Sequence, residues 1–164
     1  MKATPIPVSA MKDPVLVLAL GFGSGLSRFA PGTFGTLVAI PLFWFMQPLP
    51  VLYYSLITLV LFALGIVLCG VAAQRLGVHD HPGIVWDEIV GYLVTMVMAP
   101  TGLTWIIVGF ILFRLFDIWK PWPIGWLDAK VSGGLGIMVD DVLAGIYAAL
   151  VLQLLVFLLP TLNT

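Results

Sequence analysis

The chain has 164 residues, of which 61% are hydrophobic and only 9% charged, where a soluble domain carries roughly 25% charged residues. A fold of this size has too little interior to hide so much apolar surface, so the composition excludes an ordinary soluble domain and points to an integral membrane protein. A formal net charge of −1 leaves no electrostatic case for a nucleic-acid partner.

Lys2, Lys12 and Asp13 precede the first apolar run. That run, residues 14–25, is too short and too broken by glycine for a span and is expected to lie at the interface or to re-enter the membrane. With its basic start it is still not expected to be a cleaved signal. Residues 21–37, GFGSGLSRFAPGTFGTL, hold five glycines, two serines and two threonines. The backbone N–H groups of such a loop can turn toward an anion, which makes Arg28, Gly32, Thr33 and Gly35 candidate phosphate-binding residues. The segment lacks the Gly-Lys-Ser/Thr ending of a P-loop, and its small residues are equally at home in packed membrane helices.

Residues 31–74 carry no charge and suffice for a helical hairpin turning at the proline-rich residues 47–50. Cys69, inside this stretch, reads as a small packed apolar residue. Arg75, Asp80, Asp87 and Glu88 form the next charged cluster, beside His79 and His81 in a loop. The histidines are either part of an interfacial polar segment or proton donors to a leaving group. A helix starting near Ile84 would carry Asp87 and Glu88 one turn inside it, about 100° apart and so facing different partners.

A second hairpin covers residues 84–119 and turns at 99–102, with no charge from 89 to 113. Arg114 and Asp117, at i and i+3, share a helix face, and Lys120 closes that helix before Pro121. Asp128 and Lys130 complete this cluster. Asp140 and Asp141 stand before the last uncharged stretch and open a final span, residues 141–160. Alone they would read as an acidic first turn favoured by the helix dipole.

The expected fold is an all-α membrane bundle of about five spans, forming one domain over residues 1–164. Both turns and the C-terminal tail are then uncharged, every charged cluster falls on the opposite side, and the positive-inside bias puts that side in the cytoplasm. Topology accounts for lysines and arginines there but not for the acids, which contribute little to it. Asp87, Glu88, Asp117, Asp140 and Asp141 come from three helices to one face, and carboxylates gathered without matching positive charge need neutralising. No cysteine pair and no histidine pair at helical spacing accompanies them. The donors are all oxygen, which suits a hard cation, Mg²⁺ first. Arg114 and Lys120 suit a phosphate, and the whole set suits phosphoryl chemistry. An alternative of a different class is a small ion or proton transporter lined by the same acids.

Four segments, GFGSGLSRFAPGTFGTL, GVHDHPGIVWDEIVG, FRLFDIWKPWPI and GGLGIMVDDVLAGIYAA, occur in order and at separations that resemble the phosphatidylglycerophosphatase A family of bacterial membrane lipid phosphatases. The resemblance runs from about residue 18 to about residue 150 and shows no departure at the acidic positions. It implies a mostly helical, Mg²⁺-dependent, multi-pass enzyme of the bacterial inner membrane whose active site faces the cytoplasm. Its lipid substrate would be phosphatidylglycerophosphate, hydrolysed to phosphatidylglycerol and phosphate in phospholipid biosynthesis. It also implies that Asp87, Glu88, Asp117, Asp140 and Asp141 form the acidic core, with Arg114 and Lys120 beside it. Asp87, Glu88, Arg114, Asp117, Lys120 and Asp141 are the expected catalytic residues, and all five acids are expected to hold metal.

Overall fold

Proline, glycine and charge punctuate the apolar runs, and helices fill the intervals between them. The structure, a computed structural model, describes residues 6–78 and 80–159. Among these there is no strand. The α-helices are α1 (Pro14–Ala19), α2 (Pro31–Met46), α3 (Val51–Leu76), α4 (Trp86–Thr95), α5 (Leu103–Trp119), α6 (Ile124–Lys130) and α7 (Gly133–Leu158). Asp13 caps α1 by accepting a hydrogen bond from Val15 N at 3.0 Å, with Pro14 at the first helical position. Short 3₁₀ turns flank α1. The second, Gly21–Leu26, is broken by left-handed Phe22 and Gly23, so the first apolar run forms no continuous helix. Residues 47–50 separate α2 from α3 as expected. α3 stops where Gly77 turns left-handed (φ 69°) and returns its N–H to Ala73 and Gln74 carbonyls.

Among the described residues, α3 and α7, each 26 residues long, are the two helices apolar and long enough to cross a membrane. α2, α4 and α5, of 16, 10 and 17 residues, fall short of the roughly 20 that a perpendicular span needs. The outward faces are apolar: Leu52, Leu59, Val60 and Val67 on α3 and Leu150, Leu154 and Phe157 on α7 are exposed.

α7 is the central element, packed against α3, α4, α5 and α6. α4 and α7 approach closely through Gly91 and Gly145. A Cβ on Gly145 would strike Gly91 O, and one on Gly91 would lie 2.8 Å from Asp141 O. Hydrogen bonds from polar side chains to carbonyls stitch the helices together. Tyr54 Oη donates to Leu93 O (2.8 Å), Trp86 Nε1 to Leu61 O (3.1 Å) and Gln153 Nε2 to Val97 O (3.1 Å). At the N-terminal side, Asp13 pairs with Arg75 and ties α1 to the end of α3.

Three boundaries depart from expectation. α7 begins at Gly133, so Asp140 and Asp141 lie two turns inside a helix rather than in its first turn. Glycines 133, 134 and 136 open this helix, and Gly134 sits against Ile66 O of α3 where a side chain would not fit. α4 begins at Trp86, which puts Asp87 and Glu88 in its first turn. α6 was not anticipated: its seven residues are too few to show a period.

Candidate active site

A cavity of about 330 Å³ opens where three helix ends, a loop and the interior of a fourth helix meet. The start of α2 contributes Ala30, Pro31 and Gly32; the loop before α4 contributes Asp80 and Pro82; the first turn of α4 contributes Asp87 and Glu88. The end of α5 supplies Arg114, Asp117, Ile118 and Lys120, and α7 supplies Asp140 and Asp141. Six of these residues are acids and two are bases, so the lining is strongly negative. Asp87, Asp140 and Asp141 are buried, at 8%, 6% and 3% exposure, which leaves little water to screen their repulsion.

Asp87, Glu88 and Asp141 each offer a carboxylate oxygen to one cluster, with all three atoms within 4.8 Å of one another. Asp87 and Glu88 thus do not face different partners. Both converge on α7, because the extra methylene of glutamate lets Glu88 reach back across the angle between neighbouring helical positions. Asp87 Oδ1 and Glu88 Oε2 are buried without a hydrogen-bond partner, as is Asp140 Oδ1. Buried acceptors of this kind are costly unless something binds them. Clustered, all-oxygen, anionic and unsatisfied, the donors fit a hard divalent cation.

The remaining two expected ligands are engaged by the bases. Arg114 Nη1 lies 2.5 Å from Asp117 Oδ2 and 3.9 Å from Glu88 Oε1. These are charge contacts without hydrogen-bond alignment, and Arg114 Nη1 and Nε keep donors unused. Lys120 Nζ lies 2.6 Å from Asp140 Oδ2 and 3.1 Å from Asp128 Oδ2. Burial by itself would lower the Lys120 pKa; the hydrogen bonds and charges of Asp140, then Asp128, outweigh it and raise the pKa above the ordinary lysine value, so the ammonium is held charged.

Of the glycine-rich segment, only residues 30–32 reach the cavity. Gly32 lines it, and a Cβ there would strike Glu88 Oε1 and come 2.9 Å from Arg114 Nη1. The cavity lining includes neither Arg28, which is exposed, nor Thr33, nor Gly35, which packs against Val85. His79 lies outside the described residues. His81 is buried beside a separate cavity near α1, and its Nδ1 accepts a hydrogen bond from Gly83 N at 3.0 Å. Two residues at this end went unassigned from sequence: Asp80 in the lining and Asp128 on Lys120. Both sat within the charged clusters, which was the signal available.

The family profile for phosphatidylglycerophosphatase A matches residues 17–156. The chain is 49% identical over 140 residues to phosphatidylglycerophosphatase A of Escherichia coli K12, covering 85% of this chain and 81% of that one. It is 44% identical over 149 residues to the protein of the same name from Haemophilus influenzae, covering 90% and 91% of the two chains. A protein of Bacteroides thetaiotaomicron with a provisional description as a phosphatidylinositol-3-phosphatase is 37% identical over 142 residues, covering 82% and 88%. No solved structure matches the chain. The acid-lined cavity therefore sits in a chain whose likeness to these proteins runs through nearly its whole length, and the chain belongs to the phosphatidylglycerophosphatase A family.

Proposed function

We propose that this chain is a Mg²⁺-dependent phosphatidylglycerophosphatase. It removes the terminal phosphate of phosphatidylglycerophosphate to leave phosphatidylglycerol, in phospholipid biosynthesis. The observation that carries this reading is the convergence of Asp87, Glu88 and Asp141 on one point beside Arg114 and Lys120. Asp87, Glu88 and Asp141 would hold the ion, with Asp117 and Asp140 next to it. When bound, Mg²⁺ would supply charge neutralisation at the phosphate and an acidified water. The unused donors of Arg114 and the ammonium of Lys120 bind the phosphoryl oxygens and stabilise the charge that develops on them. Gly32 lets Glu88 and Arg114 approach the start of α2, where a side chain would displace both. Burial of the carboxylates limits bulk water, so these contacts act in a low dielectric.

The same reading places one domain, residues 1–164, in the bacterial inner membrane. The hairpins α2–α3 and α4–α5, together with α7, make about five embedded segments, the shorter ones not crossing perpendicularly. The cavity faces the cytoplasm, which keeps the diacyl tails in the bilayer and lets the headgroup reach the acids. A conduit for ions would need ionisable acids or bases along its path; residues 51–62 of α3 and 142–158 of α7 hold no Asp, Glu, Lys, Arg or His, which speaks against the transporter alternative.

Purified protein in mixed micelles should release phosphate from phosphatidylglycerophosphate with Mg²⁺ and none with chelator. Phosphatidic acid and phosphatidylinositol 3-phosphate serve as the comparison substrates. No release from phosphatidylglycerophosphate would sink the assignment, and preference for the inositol lipid would redirect it to a different headgroup.

A further inference from the structure

We propose that Asp128 is a positioning residue. Together with Asp140 it suspends the Lys120 ammonium at the cavity mouth, where an incoming phosphomonoester meets it. This rests on the phosphatase reading above. Lys120 caps α5 in the left-handed region (φ 45°, ψ 56°), a conformation that is free for glycine and costs other residues about 1 kcal/mol or more. A lysine kept at such a position is kept for its side chain. That side chain ends between two carboxylates of opposite situation: Asp140 Oδ2 at 2.6 Å, on a side chain 8% exposed, and Asp128 Oδ2 at 3.1 Å, on a side chain 43% exposed. Asp140 belongs to the cavity lining and Asp128 does not.

The two acids pull the ammonium in different directions, one toward the interior and one outward. Without Asp128, Lys120 would be left to Asp140 alone. It would be drawn inward onto a carboxylate whose other oxygen, Oδ1, is buried and unpartnered, away from the side on which a headgroup arrives. α6 is the element that carries Asp128, and Ile124, fully buried at 0% exposure, fixes its start against the bundle. A short helix with one anchored end and one acid on Lys120 is a bracket for that lysine.

The test compares Asp128→Asn, which keeps shape and removes charge, with Asp128→Glu, which restores charge, in micelles of phosphatidylglycerophosphate. Asp128→Asn should raise KM about two- to fivefold, the range of a half-exposed ion pair, while kcat changes by less than the KM shift. That split is the mark of lost substrate binding rather than lost chemistry. Asp128→Glu should recover KM. In a Lys120→Met background, Asp128→Asn should add nothing. Unchanged KM in Asp128→Asn, a fall in kcat alone, or full additivity with Lys120→Met would overturn the proposal. Thermal unfolding of the wild type, Asp128→Asn, Lys120→Met and the double variant keeps the pair testable whatever the activity. Non-additive midpoints are expected, and additive ones would refute the clamp. A wild type that unfolds non-additively with its variants but releases no phosphate would fault the phosphatase reading and leave the clamp standing.

Discussion

Replacing Gly32 with alanine adds one methyl group at the tightest point of the site. Its Cβ would strike Glu88 Oε1 and sit 2.9 Å from Arg114 Nη1. Both neighbours are the far ends of flexible side chains that line the cavity, so the methyl is accommodated only by displacing them from the acid cluster and from Asp117. Overpacking a tight site costs about 1–3 kcal/mol, which at 1.36 kcal/mol per tenfold in rate is a loss of about 5- to 150-fold in kcat/KM if the strain falls on the Glu88–Arg114 geometry. Stability should register less of it, because alanine is favoured over glycine within a helix by roughly 0.5–1 kcal/mol. The expected signature is a large fall in kcat/KM with a small change in Tm, measured by phosphate release and thermal unfolding in the same detergent. Gly35→Ala is the contrast: its methyl would come 2.5 Å from Val85 Cβ, not from a cavity residue, so its effect should appear in Tm while folded molecules keep their rate. Wild-type kcat/KM for Gly32→Ala, or a rate loss in Gly35→Ala at unchanged Tm, would refute this division of the glycine-rich segment.

Asp87→Asn, Glu88→Gln and Asp141→Asn should each lower kcat at least about 100-fold and move the Mg²⁺ titration midpoint upward without preventing membrane insertion; near-normal rates in all three would defeat the cluster assignment. Arg114→Lys keeps the charge but loses the planar fork beside Asp117 and Glu88, so kcat/KM should fall about tenfold, and an unchanged value would remove Arg114 from phosphate binding. Mg²⁺ at about 100 times its dissociation constant should stabilise the fold by about 2.7 kcal/mol, seen as a rise in Tm that chelator reverses and that Asp141→Asn abolishes; a Tm indifferent to Mg²⁺ in the wild type would count against a metal site.

Much of the helical framework could be read from where charge is missing. Residues 31–74 and 89–113 carry none, and proline-rich residues 47–50 and the turn at 99–102 divide them where the chain indeed turns. That worked because an apolar run ends only where proline, glycine or charge makes continuation costly. The same logic misplaced the start of α7, where glycines at 133, 134 and 136 serve helix packing and not termination; local propensity yielded to the close approach of α3. The acids of the cavity were legible as a one-sided charge pattern. Which of them pair with bases was not: Asp117 lies on the Arg114 face by spacing, but the contacts of Lys120 with Asp128 and Asp140 depend on how α6 and α7 fold back. The joint reach of Asp87 and Glu88 depends on side-chain length, which a helical wheel ignores. Arg28 carried charge in a suggestive segment, yet its neighbours turn it out to the surface.

α4 has no exposed residue anywhere along its ten positions. The helix that brings Asp87 and Glu88 is therefore enclosed by the rest of the protein, whereas α7, which brings Asp141, exposes an apolar face at Leu150, Leu154 and Phe157. The joint between Gly91 and Gly145 is where the enclosed helix meets the long one, beside Asp141. A slide or rotation of α7 at that joint would change the distance between the Asp87–Glu88 pair and Asp141, so the glycine contact fixes the spacing of the acid cluster.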